Sequence, residues 1–168
     1  MPVQMATKEY KKTITDQLTQ LLKPKGYKKA GNIFSVSNGD LTHFIGIQSS
    51  MDSTAHVLKM TVNTEIASSV VADLDDTWLE KKHHRHYIQR IGSYLDERYD
   101  MWWTIDSIES AEQSSNEIID IIVAKVLPTF DLFKSTNDLK ALWKSGRCIG
   151  ITEGKRIKFL KLLENVRE

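Results

Sequence analysis

The sequence predicts an α+β fold, with a mostly antiparallel sheet of about five strands and with an N-terminal helix and C-terminal helices packed mainly on one face. Three observations lead to this prediction. The first segment has apolar residues at helical spacing, the middle of the chain alternates apolar and polar residues, and the last third returns to helical spacing. Strands in the middle with helices around them are typical of an α+β domain, because each helix must bury its apolar stripe.

The composition indicates one domain without covalent cross-links. The chain has 168 residues, of which 40% are apolar and 27% are charged, which is enough for a sizeable core. We therefore expect a single domain over residues 1–168. The one cysteine, Cys148, excludes an internal disulfide and a multi-cysteine zinc site, and it fits a reducing compartment.

Charge and hydropathy argue against several classes of partner. Lysine and arginine number 23 against 22 acidic residues, so the net charge of +1 gives no broad positive field for nucleic acid. The N-terminal residues lack the apolar run of a secretory signal, and the most apolar stretch, residues 118–127, is about half as long as a membrane span. We expect a cytoplasmic protein that binds neither nucleic acid nor membrane, and the sequence leaves its oligomeric state open.

The first predicted element is a helix over residues 5–23. Lysines and threonines lie opposite its apolar stripe, and Pro24 and Gly26 end it. The stripe consists of Tyr10, Ile14, Leu18, Leu21 and Leu22.

A hairpin and a third strand follow. Asn38 and Gly39 separate a strand at 33–36 from one at 41–50, and this pair favours a type I′ turn, because both central residues need positive φ. The third strand covers residues 56–66. The faces expected to be buried consist of Leu41, His43, Ile45 and Ile47, then Leu58, Met60, Val62 and Ile66.

The next part of the chain has a weaker pattern. Residues 67–82 are expected to form a connection with a short helical turn, anchored by Trp78. We then predict a strand at 87–92, a turn, and a strand at 101–105, although the apolar residues from Ile88 to Tyr99 also suit a helix.

Three helices are predicted to end the chain. Ser114 and Glu117 resemble a capping box before a helix at 118–127, which is apolar enough to be buried, and Pro128 ends or kinks it. The second helix runs from a cap at Ser135 to Gly146, and the third covers residues 153–166. Their apolar residues are Leu139, Leu142, Trp143, Ile157, Phe159, Leu160 and Leu163.

Five stretches carry a resemblance to a known family. They are LLKPKGYKKAGNIF, GIQSS, RIGSYL, DMWW and VLPTFDLFKSTNDL, which lie within residues 21–139. The pattern to which they belong extends over roughly residues 21–163. Their order and spacing resemble the domain of unknown function 4304 family, in which phenylalanine is more usual at the position of Tyr27. The resemblance implies the family's fold and favours the strands at 87–92 and 101–105. It transfers no catalytic residue, because the family has no established activity.

No catalytic motif is present, and we expect no metal and no organic cofactor. The sequence contains no GxSxG, HExxH, phosphate loop or dinucleotide glycine pattern. The histidines of KKHHRH (His83, His84 and His86) are the strongest metal candidates, but the neighbouring lysines and arginine would repel a cation. We predict a solvated basic loop there, with a metal site or a phosphate-binding patch as the alternatives.

Cys148 and a group of aspartates are further candidates for a catalytic or metal site. Cys148 follows Arg147 but has no paired histidine, so a packed thiol is favoured over a nucleophile. Asp73, Asp75 and Asp76 are expected to form a connecting loop, since no calcium-loop continuation follows.

Trp102 and Trp103 are adjacent in a predicted strand, so they must point to opposite faces. One should lie beneath the apolar helix. The other either closes a second cluster with Phe34, Phe44 or Tyr87, or lies exposed as a recognition surface. Arg90 needs an acidic partner if it is buried, for which Asp100 is the candidate, and its alternative role is to anchor a ligand beside Trp102.

These residues support two functional hypotheses. The first is a non-enzymatic protein-binding module, possessing a bacterial accessory or toxin-neutralising role, and its candidate binding residues are Trp102, Arg90, Gln48 and His43. The alternative is a hydrolase or nuclease-like enzyme with a site on the sheet face, built from His43, His56, Gln48 and a carboxylate. We assign no catalytic residue.

Overall fold

Six strands form one antiparallel sheet in the computed structural model, which describes residues 3–166. The strands are β1 (Lys28–Ala30), β2 (Ile33–Asn38), β3 (Leu41–Ser49), β4 (Leu58–Ser68), β5 (Tyr87–Arg90) and β6 (Trp103–Ile105). Strands β1 to β5 are neighbours in chain order, and β6 also pairs with β4. The predicted α+β fold with a mostly antiparallel sheet is confirmed.

One helix precedes the strands, one lies between β4 and β5, and the others follow β6. They are α1 (Val3–Leu22), α2 (Ser69–Leu74), α3 (Ile108–Ile121), α4 (Leu127–Phe130), α5 (Thr136–Lys144) and α6 (Glu153–Glu164). The apolar stripe predicted for the first helix packs into the core, where Ile14, Leu18 and Leu22 are inaccessible to solvent. Helices α1 and α3 contact each other, and they also contact β4 and β6 respectively.

Alternation along β3 and β4 divides the sheet into an inner face, which packs against the helices, and a more exposed outer face. Buried and partly exposed positions alternate along β3 from Leu41 to Gln48. The inner face of these two strands includes Leu41, His43, Ile45, Ile47, Leu58, Met60, Val62 and Ile66. The buried face predicted from the sequence is confirmed.

The hairpin between β2 and β3 is confirmed, but its turn differs from the prediction. Asn38 pairs with Leu41, so Gly39 and Asp40 are the two loop residues. Gly39 has a φ of 63°, and Arg98 is the only non-glycine residue with positive φ among those described. Positive φ at the first loop residue alone is the pattern of a type II′ turn. The predicted type I′ turn is therefore wrong.

The connection after β4 is anchored by an ion pair and not by a tryptophan. The short helical turn predicted there is α2. Trp78, the expected anchor, is 93% exposed. Asp75 is buried instead, and its carboxylate accepts a hydrogen bond of 2.8 Å from Nζ of Lys158 in α6. The buried carboxylate needs this partner, whereas an indole can remain at the surface.

The helix after β6 begins earlier than predicted. Ser107 is the N-cap of this helix. The Ser107 hydroxyl accepts a hydrogen bond from the backbone N–H of Ser110, and the Ser110 hydroxyl accepts one from the backbone N–H of Ser107. Ser114, the predicted cap, lies inside α3 and is buried. The predicted capping box of Ser114 and Glu117 is therefore wrong, because the two earlier serines already cap the helix.

Pro128 changes the winding of this helix without ending it. A π-helical turn (Ile122–Val126) connects α3 to α4, and the N–H of Leu127 bonds the carbonyl of Ile122. The wider turn accommodates the proline, whose ring would collide with the carbonyl four residues earlier in a regular helix. The predicted helix at 118–127 thus lies within a longer helix over residues 108–130, mostly in its second half.

The last two helices follow the prediction with one exception. Ser135 caps α5, as predicted, and the structure adds a capping box with Asp138. Trp143 in α5 and Phe159 in α6 pack together with ring centroids 5.4 Å apart. Ile157 is 43% exposed, so its predicted burial is wrong. Leu163 and Phe159 form the buried stripe of α6 instead.

Strands β5 and β6 lie end to end along the same edge of β4. Strand β5 pairs with residues 63–66 and β6 pairs with residues 58–60. Both are antiparallel to β4, so the predicted turn between them does not produce a hairpin. Residues 91–102 instead leave the edge and return to it, and we name them the edge loop. Trp102, which was predicted within a strand, belongs to this loop.

Close packing holds the base of the edge loop together. A Cβ on Gly92 would lie 2.1 Å from the carbonyl oxygen of Tyr99 and 2.9 Å from Cβ of Met101. The Thr61 hydroxyl donates a hydrogen bond of 2.6 Å to the Met101 carbonyl. The Tyr94 hydroxyl, earlier in the loop, is hydrogen-bonded to residues on the inner face. These contacts return the chain to the edge of β4.

Replacing Gly92 with alanine is expected to lower the free energy of unfolding by about 3 kcal/mol, because the new methyl group must displace the backbone at Tyr99. Gly154→Ala is the matched control, since its Cβ would meet nothing nearer than 3.9 Å, and we expect a gain of up to about 1 kcal/mol in α6. Urea unfolding followed by circular dichroism measures both values. Similar stabilities for the two variants would contradict the packing at Gly92.

Candidate functional site

The two adjacent tryptophans point to opposite faces of the sheet, as predicted. Trp103 is 6% exposed, and its Nε1–H donates a hydrogen bond of 2.8 Å to the carboxylate of Glu117 in α3. Trp102 is half-buried beside two cationic side chains that extend from the outer face. Trp103 is therefore the tryptophan beneath the long helix, and Trp102 lies outside the core.

Charged groups hold Trp102 in place. Its Nε1–H donates a hydrogen bond of 3.0 Å to the carboxylate of Asp100. The guanidinium of Arg90 lies 5.0 Å from the ring centroid, and Nζ of Lys59 lies 5.7 Å from it. Cations within about 6 Å of an indole face are attracted to its negative face. The ring therefore has a defined orientation on the outer side of the sheet.

The second apolar cluster that the sequence allowed around Trp102 is wrong. Phe34 and Tyr87 belong to the main core on the inner face. Phe44 is on the outer face, but its ring packs against the guanidinium of Arg85, which is 3.8 Å from the centroid. The outer face therefore pairs aromatic rings with arginines and does not form a separate core.

Arg90 forms the predicted ion pair. Its Nη1 lies 2.9 Å and 3.0 Å from the two carboxylate oxygens of Asp100. Hydrogen bonds from Arg90 and Trp102 lower the pKa of the Asp100 carboxyl below its usual value. In β4, Asn63 lies opposite Arg90 and donates a hydrogen bond of 2.7 Å to Gln48. We name this surface the tryptophan face, and it consists of Gln48, Lys59, Asn63, Arg90, Asp100 and Trp102.

A groove of about 790 Å³ opens beside the tryptophan face, between β5, the edge loop and residues 147–150. We name it the arginine groove, because Arg90, Arg98 and Arg147 line it. Arg90 pairs with Asp100, whereas Arg98 and Arg147 form no ion pair with any residue in the range 3–166. Arg98 has a φ of 45°, a conformation that is strained for a residue with a side chain.

Sequence reasoning missed the arginine groove. In the sequence, Arg147 was considered only as the neighbour of Cys148. The Sγ of Cys148 is packed and lies 3.2 Å from a backbone carbonyl oxygen. Arg98 and Arg147 line one groove because the N–H of Ile88 in β5 donates a hydrogen bond of 3.1 Å to the carbonyl of Ile149. No local pattern predicts this contact between distant segments.

His43 lies away from the tryptophan face. It is on the inner face with 7% exposure, and its Nε2–H donates a hydrogen bond of 2.8 Å to the carbonyl of Phe133. His56, which was expected in a strand, is exposed in the loop before β4. Gln48 is on the outer face. The structure therefore does not bring His43, His56 and Gln48 together.

The KKHHRH run differs from the solvated loop that was predicted. His84 and His86 are 4% and 1% exposed, and only His83 of the three is exposed. Nε2 of His84 is 2.9 Å from the carbonyl oxygen of Leu79, and the N–H of Ser68 donates to Nδ1 of His86 at 2.8 Å. The prediction is wrong because the backbone provides partners that permit burial. Among residues 3–166, no three His, Cys, Asp or Glu side chains are placed to hold a metal ion.

Burial makes His86 a source of pH-dependent stability. The pKa of His86 is lowered to about 4, mainly by burial. The charges of His84, Arg85 and Lys155 add to this effect, and Asp75 opposes it. The unfolded chain protonates this ring near the ordinary pKa of about 6.5, so it binds more protons than the folded chain between these values. The contribution of His86 to the free energy of unfolding is therefore complete above the unfolded pKa, and it is lost as the pH falls toward 4.

The fold and the outer surface together define an α+β domain that presents a polar, tryptophan-bearing sheet face. The chain belongs to the family described as Domain of unknown function (DUF4304), which matches residues 18–132. The resemblance seen in the sequence is confirmed, and α5 and α6 lie beyond the matched residues. Comparison with curated proteins and with solved structures gave no significant match. None of the helices described within residues 3–166 is long and apolar enough to cross a membrane.

Alanine substitutions of the two tryptophans are expected to cause losses of stability of different size. Trp103→Ala should lower the free energy of unfolding by about 3–5 kcal/mol, because it empties a core position and leaves Glu117 without its donor. Trp102→Ala should lower the free energy of unfolding by about 1 kcal/mol, since the substitution removes only contacts of a partly exposed ring with cationic side chains. Urea unfolding monitored by circular dichroism gives both values. A large loss for Trp102→Ala would assign that residue to the core.

His86→Asn is expected to reduce the acid sensitivity of the fold. Asparagine keeps an acceptor for the Ser68 N–H but has no group that titrates in this range. The loss of stability between pH 6.5 and pH 4 should therefore shrink by an amount on the order of 3 kcal/mol, measured by urea unfolding at a series of pH values. His83→Asn is the control, because His83 is exposed, and its pH profile should match the wild type. Identical profiles for all three proteins would refute the role of His86.

Proposed function

We propose that the protein is a non-enzymatic binding module whose tryptophan face and arginine groove bind an acidic segment of a partner protein. The observation that carries the proposal is the arginine groove itself. Arg98 and Arg147 line it without ion-pair partners among residues 3–166, and the groove adjoins Trp102 through Arg90 and Asp100.

The composition of this surface suits protein recognition. Tryptophan, tyrosine and arginine dominate the energetics of protein interfaces. Tyr99 lines the groove and is 44% exposed, and Trp102 is already oriented by its hydrogen bond to Asp100. A residue that is oriented before binding loses little side-chain entropy when the partner arrives. The surface therefore combines a preorganised aromatic ring with available cationic groups.

The two arginines that form no ion pair within residues 3–166 favour a partner with carboxylates. A guanidinium presents a planar set of N–H donors that matches a carboxylate with two parallel hydrogen bonds. Arg98 and Arg147 are exposed, so their donors can reach a partner. A net charge of +1 and a single short groove suit an acidic peptide better than a nucleic acid, which requires many phosphate contacts for useful affinity.

A domain that acts by binding alone fits a bacterial accessory or toxin-neutralising role. The partner would then be a protein whose acidic segment is covered on binding. The enzyme hypothesis has less support, because His43, His56 and Gln48 lie on different parts of the fold.

Fluorescence anisotropy with a labelled ten-residue peptide of alternating glutamate and serine tests the proposal. We expect saturable binding that weakens with salt, as for other surface charge interactions. The double variant Arg98→Ala, Arg147→Ala should bind roughly tenfold more weakly, since two exposed charge pairs are lost. Trp102→Ala should also weaken binding.

The matched control is the double variant Lys81→Ala, Lys82→Ala, which removes the same amount of charge away from the groove. These lysines pair with Asp73 and Glu80, and we expect unchanged peptide binding. Equal losses in the two double variants would mean that net charge and not the groove attracts the peptide. Tighter binding of a single-stranded oligonucleotide that depends on the same arginines would replace the proposal with nucleic-acid recognition.

A further inference from the structure

A second cavity lies on the inner side of the sheet, between the β2–β3 hairpin and the end of α4. Its volume is about 460 Å³, within the range of small-molecule sites, about 300–1,000 Å³. We name it the His43 cavity. Its ionisable lining consists of Lys25, Tyr27, His43, Asp131 and Lys134. It is separate from the surface assigned to a partner protein, so the two proposals stand independently.

His43 offers a free acceptor atom to this cavity. Its Nε2 lies 2.8 Å from the Phe133 carbonyl oxygen, which can only accept, so Nε2 carries the proton. Burial lowers the pKa of His43, which keeps the ring neutral near pH 7. Nδ1 then has a lone pair and no hydrogen-bond partner among residues 3–166.

Tyr27 offers a hydroxyl beside it. The side chain is 7% exposed, and burial, followed by the charge of Asp131, raises the pKa of Tyr27 to about 12, so the hydroxyl keeps its proton. This hydroxyl also has no hydrogen-bond partner among residues 3–166. The Tyr27 hydroxyl and Nδ1 of His43 are both accessible to solvent. Both atoms belong to side chains that are mostly buried, and both lie at one cavity, where they are available to a ligand.

The rim of the cavity is charged. Lys25 and Lys134 are exposed and form no ion pair with any residue in the range 3–166. Asp131 is also exposed and acts electrostatically on both Tyr27 and His43. The two ammonium groups suit anionic oxygens, whereas the carboxylate and Nδ1 of His43 suit hydroxyl donors. A ligand must therefore present both kinds of group.

We propose that the His43 cavity binds a small phosphorylated polyol, of which a free sugar phosphate is the simplest form. Lys25 and Lys134 bind the phosphate, Nδ1 of His43 and the Asp131 carboxylate accept from sugar hydroxyls, and the Tyr27 hydroxyl donates to a ligand oxygen. Val36, Leu127 and Phe130 provide the apolar part of the wall. This mixture of apolar walls with a few convergent polar groups is usual in small-ligand sites.

Isothermal titration calorimetry of the full chain with ribose 5-phosphate tests this proposal, with ribose and inorganic phosphate as partial ligands. We expect a Kd below about 1 mM for ribose 5-phosphate and at least about tenfold weaker binding for each partial ligand. Tyr27→Phe should weaken binding about fivefold through one lost hydrogen bond, and Lys25→Met should weaken it by a similar factor. Lys23→Met, in the same short turn but outside the cavity lining, should bind like the wild type.

His43→Gln tests the acceptor directly. Glutamine can keep a donor for the Phe133 carbonyl while it removes Nδ1, and we expect about fivefold weaker binding. Thermal melting confirms that each variant is folded. If His43→Gln unfolds, Tyr27→Phe and Lys25→Met decide the question, because the first removes one hydroxyl and the second changes an exposed side chain.

Three results would overturn the proposal. The first is no saturable binding of ribose 5-phosphate, and the second is binding that Tyr27→Phe and Lys25→Met leave unchanged. The third comes from co-sedimentation with phosphatidylglycerol vesicles, which carry a phosphorylated polyol as a lipid headgroup. Sedimentation that depends on Lys25, without binding of the free sugar phosphate, would assign the cavity to a lipid and contradict a free ligand.

Discussion

The hydrogen-bond ladder along β4 is the constraint on which the rest of the structure depends. One edge of this strand pairs with β3 over nearly its whole length, and two short strands, β5 and β6, share the other edge. Unpaired backbone groups along a central strand are costly, so the chain must return to β4 after it leaves at residue 91. The return places Asp100 and Trp102 outside the sheet and Trp103 inside it. It requires that Gly92 carry no side chain, because the Tyr99 carbonyl occupies that space.

Ionisable residues have different charge states in the core and on the outer face of the sheet. Burial lowers the pKa values of His43 and His86, so both rings are neutral and bind backbone groups. On the outer side, Arg90 and Asp100 remain charged, reach solvent and orient Trp102. Low dielectric inside and water outside account for the difference. Some polar groups without a partner among residues 3–166, such as Nδ1 of His43 and the guanidinium of Arg98, lie at a cavity or groove where a ligand can reach them.

The spacing of residues within single elements determined much of this protein in advance. The apolar stripe of α1, the alternation of β3 and β4, and the Ser135 cap of α5 all follow from the period of a helix or strand and from local capping chemistry. The opposite directions of Trp102 and Trp103 follow from the same geometry. The partnership of Arg90 with Asp100 was predictable because the two residues flank one short connection. The family could also be recognised, since its pattern extends over most of the chain.

Contacts between distant segments decided the rest. The start of the long helix, the winding around Pro128 and the exposure of Trp78 depend on which element packs against each segment. The arginine groove exists because residues 147–150 dock on β5, and the His43 cavity exists because α4 ends beside the β2–β3 hairpin. A sequence pattern specifies the direction in which a side chain leaves its own element. Only the tertiary structure specifies what lies in that direction, because packing joins elements that are far apart in the chain.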